Sequence, residues 1–328
     1  MTETPHRQHH DMGGLPGGPI DTAAREFEPW QKRIEATVRC AIMSPKSVLT
    51  VDEFRRGIEE LPPRVYDSIS YFEKWIASLA KMLVAKGVLT EAEIEARARD
   101  AAARRRGEDA APHGHGHGEH DHEHGHDHDD HAPVVAGEPA GKYHLMADAV
   151  RELLIEKGFF TAGQHRELIE AIDAHGPAVG ARVVAHAWAD PAFKQRLLDD
   201  GRTACAELGI AINETNLVVV ENSPAVHNVV VCTLCSCYPV FVLGRPPDWY
   251  KSAAYRARVV RDPRGVLREF GTEIAPGREL RVHDSTADMR YLVLPMRPKG
   301  TEAWSEADLA KLATRDTMVG VAECRIPA

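Results

Sequence analysis

Apolar positions recur at helical spacing through the first third of the chain, and residues suited to capping bound each run. In "YDSISYFEKWIASLAKMLVAKG" (66–87) they return every three or four positions and stop at Gly87, as expected for an amphipathic helix closed by a glycine. Thr50 with Glu53 in "TVDEFRRGIEEL", and Thr90 with Glu93 in "TEAEIEARARD", have the spacing of a capping box. In that motif side chain and backbone satisfy each other's free N–H groups. Residues 20–105 therefore read as all-helical. Such a strip offers little core of its own and suits packing along a partner surface.

Past residue 142 the period mixes. "YHLMADAVRELLIEKG" and "TAGQHRELIEAIDAHG" are amphipathic helices, and "DPAFKQRLLDDGRTACAELG" opens with Asp190 as N-cap and Pro191 at the first helical position. "NLVVVEN" and "HNVVVC" are short β-branched runs separated by a Ser-Pro turn, so Cys232 falls at the end of a strand. "PPDWYKSAAYRARVVRDPRGVLREFG" returns to helix, "ELRVHDS" and "RYLVLPMRP" read as strands, and Ser305 to Asp308 opens a last helix. The expected class is α+β: an all-helical N-terminal segment, then a domain whose helices cover small sheets.

The two parts are divided by "PHGHGHGEHDHEHGHDHDDHAP", which holds nine of the eighteen histidines and nothing apolar to build a core. It reads as disordered, and gives the division 1–106, 107–141 and 142–328, in keeping with a length of 328 residues that favours two folding units. Two readings of the tract stand open: a solvated connector, or a loose store of divalent metal beside a site that needs it. Residues 107–141 carry nine acidic side chains and no Lys or Arg, so the net charge of -9 originates there and the remainder is balanced. That balance excludes a nucleic-acid partner, which would need a basic face. No run of eighteen apolar residues occurs, and "MTETPHRQHH" lacks signal-peptide order, so no membrane association and a soluble cytoplasmic location are expected.

Six cysteines in such a chain point to metal or redox chemistry rather than a disulfide framework. Three of them, Cys232, Cys235 and Cys237, form C-x-x-C-x-C in "VVVCTLCSCYPV". Structural zinc and iron–sulfur clusters both ask for four protein ligands. His227 could be a fourth zinc ligand, or a satisfied core histidine within its strand. The one-residue gap also permits coordination by the chain itself. If Cys235 and Cys237 share one ion, the peptide nitrogens of Ser236 and Cys237 are drawn to it and, deprotonated, complete an equatorial plane, with Cys232 axial. Such donors favour trivalent iron or cobalt and leave a sixth position for water or substrate.

"VCTLCSCYP", "VLGRPPDWYKSAAYRARVVRDPR" and "RYLVLPMRP", with "GARVVAHAWADPAFK" and "VVVENSPAVHNVVV", closely resemble the α subunit of nitrile hydratase. "HDMGG", "VDEFRRGIE" and "SYFEKWIASLAKMLVAKGVLT" resemble the N-terminal half of that enzyme's β subunit, so the chain looks like half of β fused to all of α. The resemblance implies a nitrile-hydrating metalloenzyme with Cys232, Cys235 and Cys237 as sulfur ligands and Ser236 and Cys237 as backbone-nitrogen ligands. It implies Cys235 oxidised to sulfinate and Cys237 to sulfenate, and a catalytic role for Cys237. Thr233 and Tyr238 match the cobalt branch, so Co(III) is expected in preference to Fe(III). Arg55 corresponds to the β-subunit arginine that holds the sulfur oxygens through a guanidinium fork, whereas bare sequence reads it as a surface residue. Tyr71 and Trp75 correspond to aromatic pocket residues, whereas bare sequence reads them as helix packing.

The chain departs from the family where "CSCYPWPVLGLPP" becomes "CSCYPVFVLGRPP", with Val240 in place of the pocket tryptophan and Phe241 and Arg245 added. A loop arginine beside two prolines reads as solvated. The C-terminal half of β, with its second arginine, has no counterpart here. The family therefore implies a separate small subunit, a dimer of heterodimers, a small nitrile substrate and an activator protein for metal insertion. Thiocyanate hydrolase, of the same structural family and with an anionic substrate, is the alternative enzyme. A cobalt-delivery or maturation protein is a further alternative, opposed by the presence of all three thiols.

Overall fold

A computed structural model of the chain describes residues 8–23, 25–110, 141–212 and 215–327. The His-rich tract, and the disorder expected of it, lie outside those residues. Ahead of it come α1 (Pro29–Met43), α2 (Val51–Glu59), α3 (Pro63–Ser68), α4 (Tyr71–Ala85) and α5 (Glu91–Ala110). Both capping boxes form: Glu53 N donates to Thr50 Oγ1 at 3.2 Å while Thr50 N donates to Glu53 Oε2 at 2.8 Å, and Thr90 and Glu93 repeat the exchange at 3.2 and 2.7 Å. Gly87 follows α4 at φ +69°, a left-handed turn that costs glycine little. Helix α5 ends at Ala110, past the boundary at 106 expected from composition.

The expectation of a coreless strip is corrected by α6 (Lys142–Glu156). Its Val150, Leu153 and Leu154 are buried with Ile34 and Val38 of α1 and Phe72, Ile76, Leu79 and Leu83 of α4. The N-terminal helices thus gain a core from the first helix after the His-rich tract, and α7 (Ala162–Ala174) lies against α1.

The second core is built on two sheets of two strands each. β1 (Asn216–Glu221) pairs in parallel with β4 (Met289–Leu294), and β2 (Val226–Val231) pairs in parallel with β3 (Glu279–Asp284). The Ser-Pro turn between β1 and β2 is therefore not a hairpin, because each strand takes its partner from the C-terminal part of the chain. β2 is buried along five of its six residues, as parallel strands covered on both faces are. The cover consists of α8 (Pro177–Ala189), α9 (Pro191–Asp199), α10 (Gly201–Glu207), α11 (Val240–Leu243), α12 (Asp248–Lys251), α13 (Ala253–Arg258), α14 (Pro263–Glu269), α15 (Glu306–Ala310) and α16 (Arg315–Val319).

Two expectations from periodicity change. The run 190–209 is two helices, since Asp200 ends α9 and its carboxylate accepts from Thr203 N at 3.1 Å to start α10. The helix capped by Ser305 is not the last, because Thr314 caps α16 after it. Among the described residues no helix is long and apolar enough to cross a membrane.

One close approach fixes α2 against α4. Ser78 Oγ of α4 donates to Phe54 O at 2.6 Å, and a Cβ at Gly57 would clash with Ser78 Oγ. Gly57→Val should therefore push α2 off α4 and cost about 2 kcal/mol, the scale of overpacking, read as a lowered thermal midpoint. An unchanged midpoint would show that this contact does not set the helix spacing.

Candidate metal centre

Strand β2 delivers the chain to Cys232, and four neighbouring elements then hold the loop that follows. Asp284, at the end of β3, accepts from Thr233 N at 3.0 Å and Thr233 Oγ1 at 2.6 Å. Arg256 of α13 is buried and donates to the carbonyls of Cys232, Thr233 and Leu234 at 3.2, 2.8 and 2.5 Å. It also donates to His10 O at 3.3 Å, which ties in the N-terminal segment, whose Met12 N donates to Thr233 O at 3.4 Å. Tyr250 of α12 donates to Cys237 O at 2.7 Å. Hydrogen bonds from charged donors to carbonyls contribute about 1.5–3 kcal/mol each, so Arg256 is the principal brace.

Inside that frame Cys235 Sγ lies 3.6 Å from Cys232 Sγ and 3.2 Å from Cys237 Sγ, and all three sulfurs fall within 4.8 Å. The spacing is possible because Ser236 takes φ +65°, the sole described non-glycine residue with positive φ. A left-handed serine costs energy and persists only where the surroundings impose it. Three sulfurs this close cannot all ionise without a cation. Hydrogen bonds from Cys235 and Cys237 hold Cys232 well below the usual thiol range, whereas donating to Cys232 pushes Cys235 up and Cys237 up to about 11.

Among the described residues this is the one group of three or more His, Cys, Asp or Glu side chains placed to share an ion. No fourth such ligand joins it. His227 is buried elsewhere, with Nε2 2.7 Å from Gly320 O, so it is the satisfied core histidine and not a zinc ligand. Three soft donors with a strained peptide between two of them fit a trivalent ion that takes backbone nitrogen, and fit tetrahedral zinc poorly.

Cys235, Ser236 and Cys237 line a cavity of about 160 Å³ together with Arg55 of α2, Tyr71 and Trp75 of α4, and Val240, Phe241 and Arg245. Arg55 is thus no outward-facing surface residue. Its Nε is buried with no hydrogen-bond partner among the described residues. Burial acts to lower its pKa, but the thiolates that Cys235, Cys237 and Cys232 become at high pH outweigh this and raise it. Tyr71 packs 5.5 Å from Trp75 and edge-on to Phe72, and burial pushes its phenol up, so it stays protonated. These aromatics pack the helix and line the cavity at once. Arg245 overturns its expectation: it is 9% exposed, donates to Glu35 Oε2 at 2.6 Å and pairs with Asp173.

Sequence reasoning missed Arg256, Asp284, Tyr250 and Glu35. Nothing in "YRARVVR" separates Arg256 from Arg258, which pairs with Glu269 nearer the surface.

Residues 141–322 match the family described as nitrile hydratase, alpha chain, and residues 7–127 match nitrile hydratase beta subunit, N-terminal. The α subunit of the low-molecular weight cobalt-containing nitrile hydratase of Rhodococcus rhodochrous is 48% identical over 202 residues, 60% of this chain and 98% of that one. A nitrile hydratase β subunit of Pseudomonas putida is 34% identical over 89 residues, 26% of this chain and 40% of that one. A solved thiocyanate hydrolase with partially modified cobalt centres superposes with a TM-score of 0.54 at 42% identity, covering 57% of this chain and 91% of that one.

Two outcomes follow from the loop. Cys235 and Cys237 are protonated at neutral pH, so loading the metal-free protein should release about two protons or more per ion and tighten as pH rises toward 11. Calorimetry in buffers of different ionisation enthalpy reads the number, and loading without proton release would refute the protonated state of Cys235 and Cys237. Arg256→Leu should leave the fold intact by circular dichroism but the metal content below one per chain; full loading would show the brace to be dispensable.

Proposed function

The chain belongs to the nitrile hydratase family, and on that premise we propose that it hydrates small nitriles to amides at a Co(III) centre in the Cys232–Cys237 loop. The observation that carries the reading is the cavity in which the cysteine loop meets Arg55, Tyr71 and Trp75 of the β-like helices. Cys232, Cys235 and Cys237 would hold the ion through sulfur, and Ser236 and Cys237 through backbone nitrogen. Bound there, the ion supplies a Lewis acid that polarises the C≡N bond.

Hydration adds one water across that bond: oxygen joins carbon, nitrogen gains a proton, and the resulting imidic acid shifts its remaining hydroxyl proton to nitrogen. Cys237, oxidised to sulfenate, offers an oxygen on the cavity wall as nucleophile or base, while Cys235 is carried as sulfinate. Arg55 faces the negative charge of the loop and would hold those oxygens, a preorganised cation where charge develops. Tyr71, protonated across the working range, keeps a donor at Oη, and the apolar wall limits access of bulk water.

We assign 1–106 as the β-like helical part, 107–141 as connector and 142–328 as the α-like metal domain, a division supported by matches to the two subunits over 7–127 and 141–322. The β-subunit relative from Pseudomonas putida is matched over 40% of its length, which leaves its other half to be accounted for. We assign that half to a separate small subunit in a dimer of heterodimers, with an activator protein inserting the metal.

Thiocyanate hydrolysis is the second reading, favoured by the structural likeness at 42% identity. Arg245 gives it no added support, since its guanidinium is engaged by Glu35 and Asp173. A delivery protein would have no use for an apolar cavity over the cysteine loop.

Purified with its small subunit, the protein should contain cobalt and convert acrylonitrile but not thiocyanate, and its 232–237 peptide should carry added oxygen by mass. Thiocyanate turnover alone would replace the assignment, and tetrahedral zinc with unmodified thiols would end it. Cys237→Ser should abolish hydration and weaken metal retention. Arg55→Lys should lower kcat about tenfold or more, as loss of an oriented donor does; a kcat equal to wild type would remove Arg55 from the site.

A further inference from the structure

Tyr71, the first residue of α4, lines the cavity with Cys235 and Cys237, yet its Oη makes no hydrogen bond among the described residues. The orientation of its ring is therefore set by what packs on it. Phe72 and Trp75 of the same helix lie 5.2 and 5.5 Å away, centre to centre. From the α-like part comes Lys251 of α12, whose Nζ stands over the rings of Phe27, Tyr71 and Phe72, at 4.5, 5.3 and 5.2 Å from their centres. Three rings of the β-like part thus surround one ammonium of the α-like part. Asp248, one turn back, pairs with Nζ at 2.7 Å and fixes it in place. Burial pulls the Lys251 pKa below the usual lysine range, and Asp248 and Glu35 act against this. Other cations are near, since Arg245 lies 5.4 Å from the centre of the Phe27 ring and the charge of Arg256 reaches Tyr71. Among the described residues, Lys251 is the one cation over the Tyr71 ring itself.

We propose that Lys251 is a positioning residue for hydration: its ammonium, anchored by Asp248, clamps the face of the Tyr71 ring and so aims the Tyr71 hydroxyl at the bound nitrile. A cation over an aromatic face is drawn to the negative face of the ring, and more strongly where water is excluded. A phenol at the first position of a helix, with its hydroxyl unbonded, would otherwise turn about its side-chain torsions. Held in one orientation, the donor has no rotational freedom left to lose when the substrate arrives. The inference rests on the proposed hydration activity and on Tyr71 as its donor.

The test uses the metal-loaded complex with acrylonitrile. Lys251→Met keeps the apolar stem and removes the charge, and should lower kcat/KM about fivefold, the scale of one buried cation–ring contact. Lys251→Arg keeps a cation and should restore most of it. In a Tyr71→Phe background the ring remains but no hydroxyl needs aiming, so Lys251→Met should there cost less than about twofold. An equal cost in both backgrounds would make Lys251 a packing residue and overturn the inference. Lys251→Gln should match Lys251→Met and covers the case in which the latter fails to fold. Fluorine NMR of the complex carrying meta-fluorotyrosine reads the ring directly, with the Tyr71 signal assigned by its loss in Tyr71→Phe. That signal should be single in wild type, broaden or split in Lys251→Met and sharpen again in Lys251→Arg; an unchanged signal in both neutral variants overturns the clamp while hydration stands. If acrylonitrile is not turned over, the functional reading fails and the fluorine signal alone decides the clamp by the same criterion.

Discussion

Repulsion among three closely spaced sulfurs is the constraint around which the rest of the molecule is arranged. Left alone, sulfurs within 4.8 Å of one another would swing apart or keep their protons. The chain prevents the first by fastening the carbonyls of 232, 233, 234 and 237 to Arg256 and Tyr250, and the amide of Thr233 to Asp284. It leaves the second to be resolved by a cation. The left-handed Ser236 is the visible cost of that arrangement, and the parallel β2–β3 pair, which puts Asp284 beside Val231, is what makes the anchoring possible.

The cavity above the loop belongs to neither family match alone. Its sulfur floor and Arg245 come from the α-like part, and Arg55, Tyr71 and Trp75 from the β-like helices. The contact of Gly57 with Ser78 sets the spacing of α2 on α4 and hence where Arg55 sits relative to Tyr71. Helix packing and site geometry are therefore one problem here, and a change in the first core reaches the chemistry through rigid helices rather than through the loop.

Local signals were legible in the sequence. Capping boxes at Thr50 and Thr90, the N-cap at Asp190 and the C-x-x-C-x-C spacing all act within a few residues, and each is found in the structure. The long-range decisions were hidden. That β1 pairs with β4 across some seventy residues, that α6 completes the first core, and that Arg245 meets Glu35 at a separation of 210 leave no trace in periodicity. Arg245 misled for a physical reason: composition predicts solvation for an isolated guanidinium, and only the fold reveals that two carboxylates from distant helices await it. Arg256 was silent for the same reason, since its partners are carbonyls, which every residue carries.

The bond from Arg256 to His10 spans 246 positions of one polypeptide. Where such a contact joins separate chains, it is lost on dilution as mass action dictates. Within a single chain the encounter is unimolecular, with an effective concentration fixed by tether length. The β-like helices therefore stay seated on the cysteine loop at any enzyme concentration, and occupancy of this joint is independent of how much protein a cell makes.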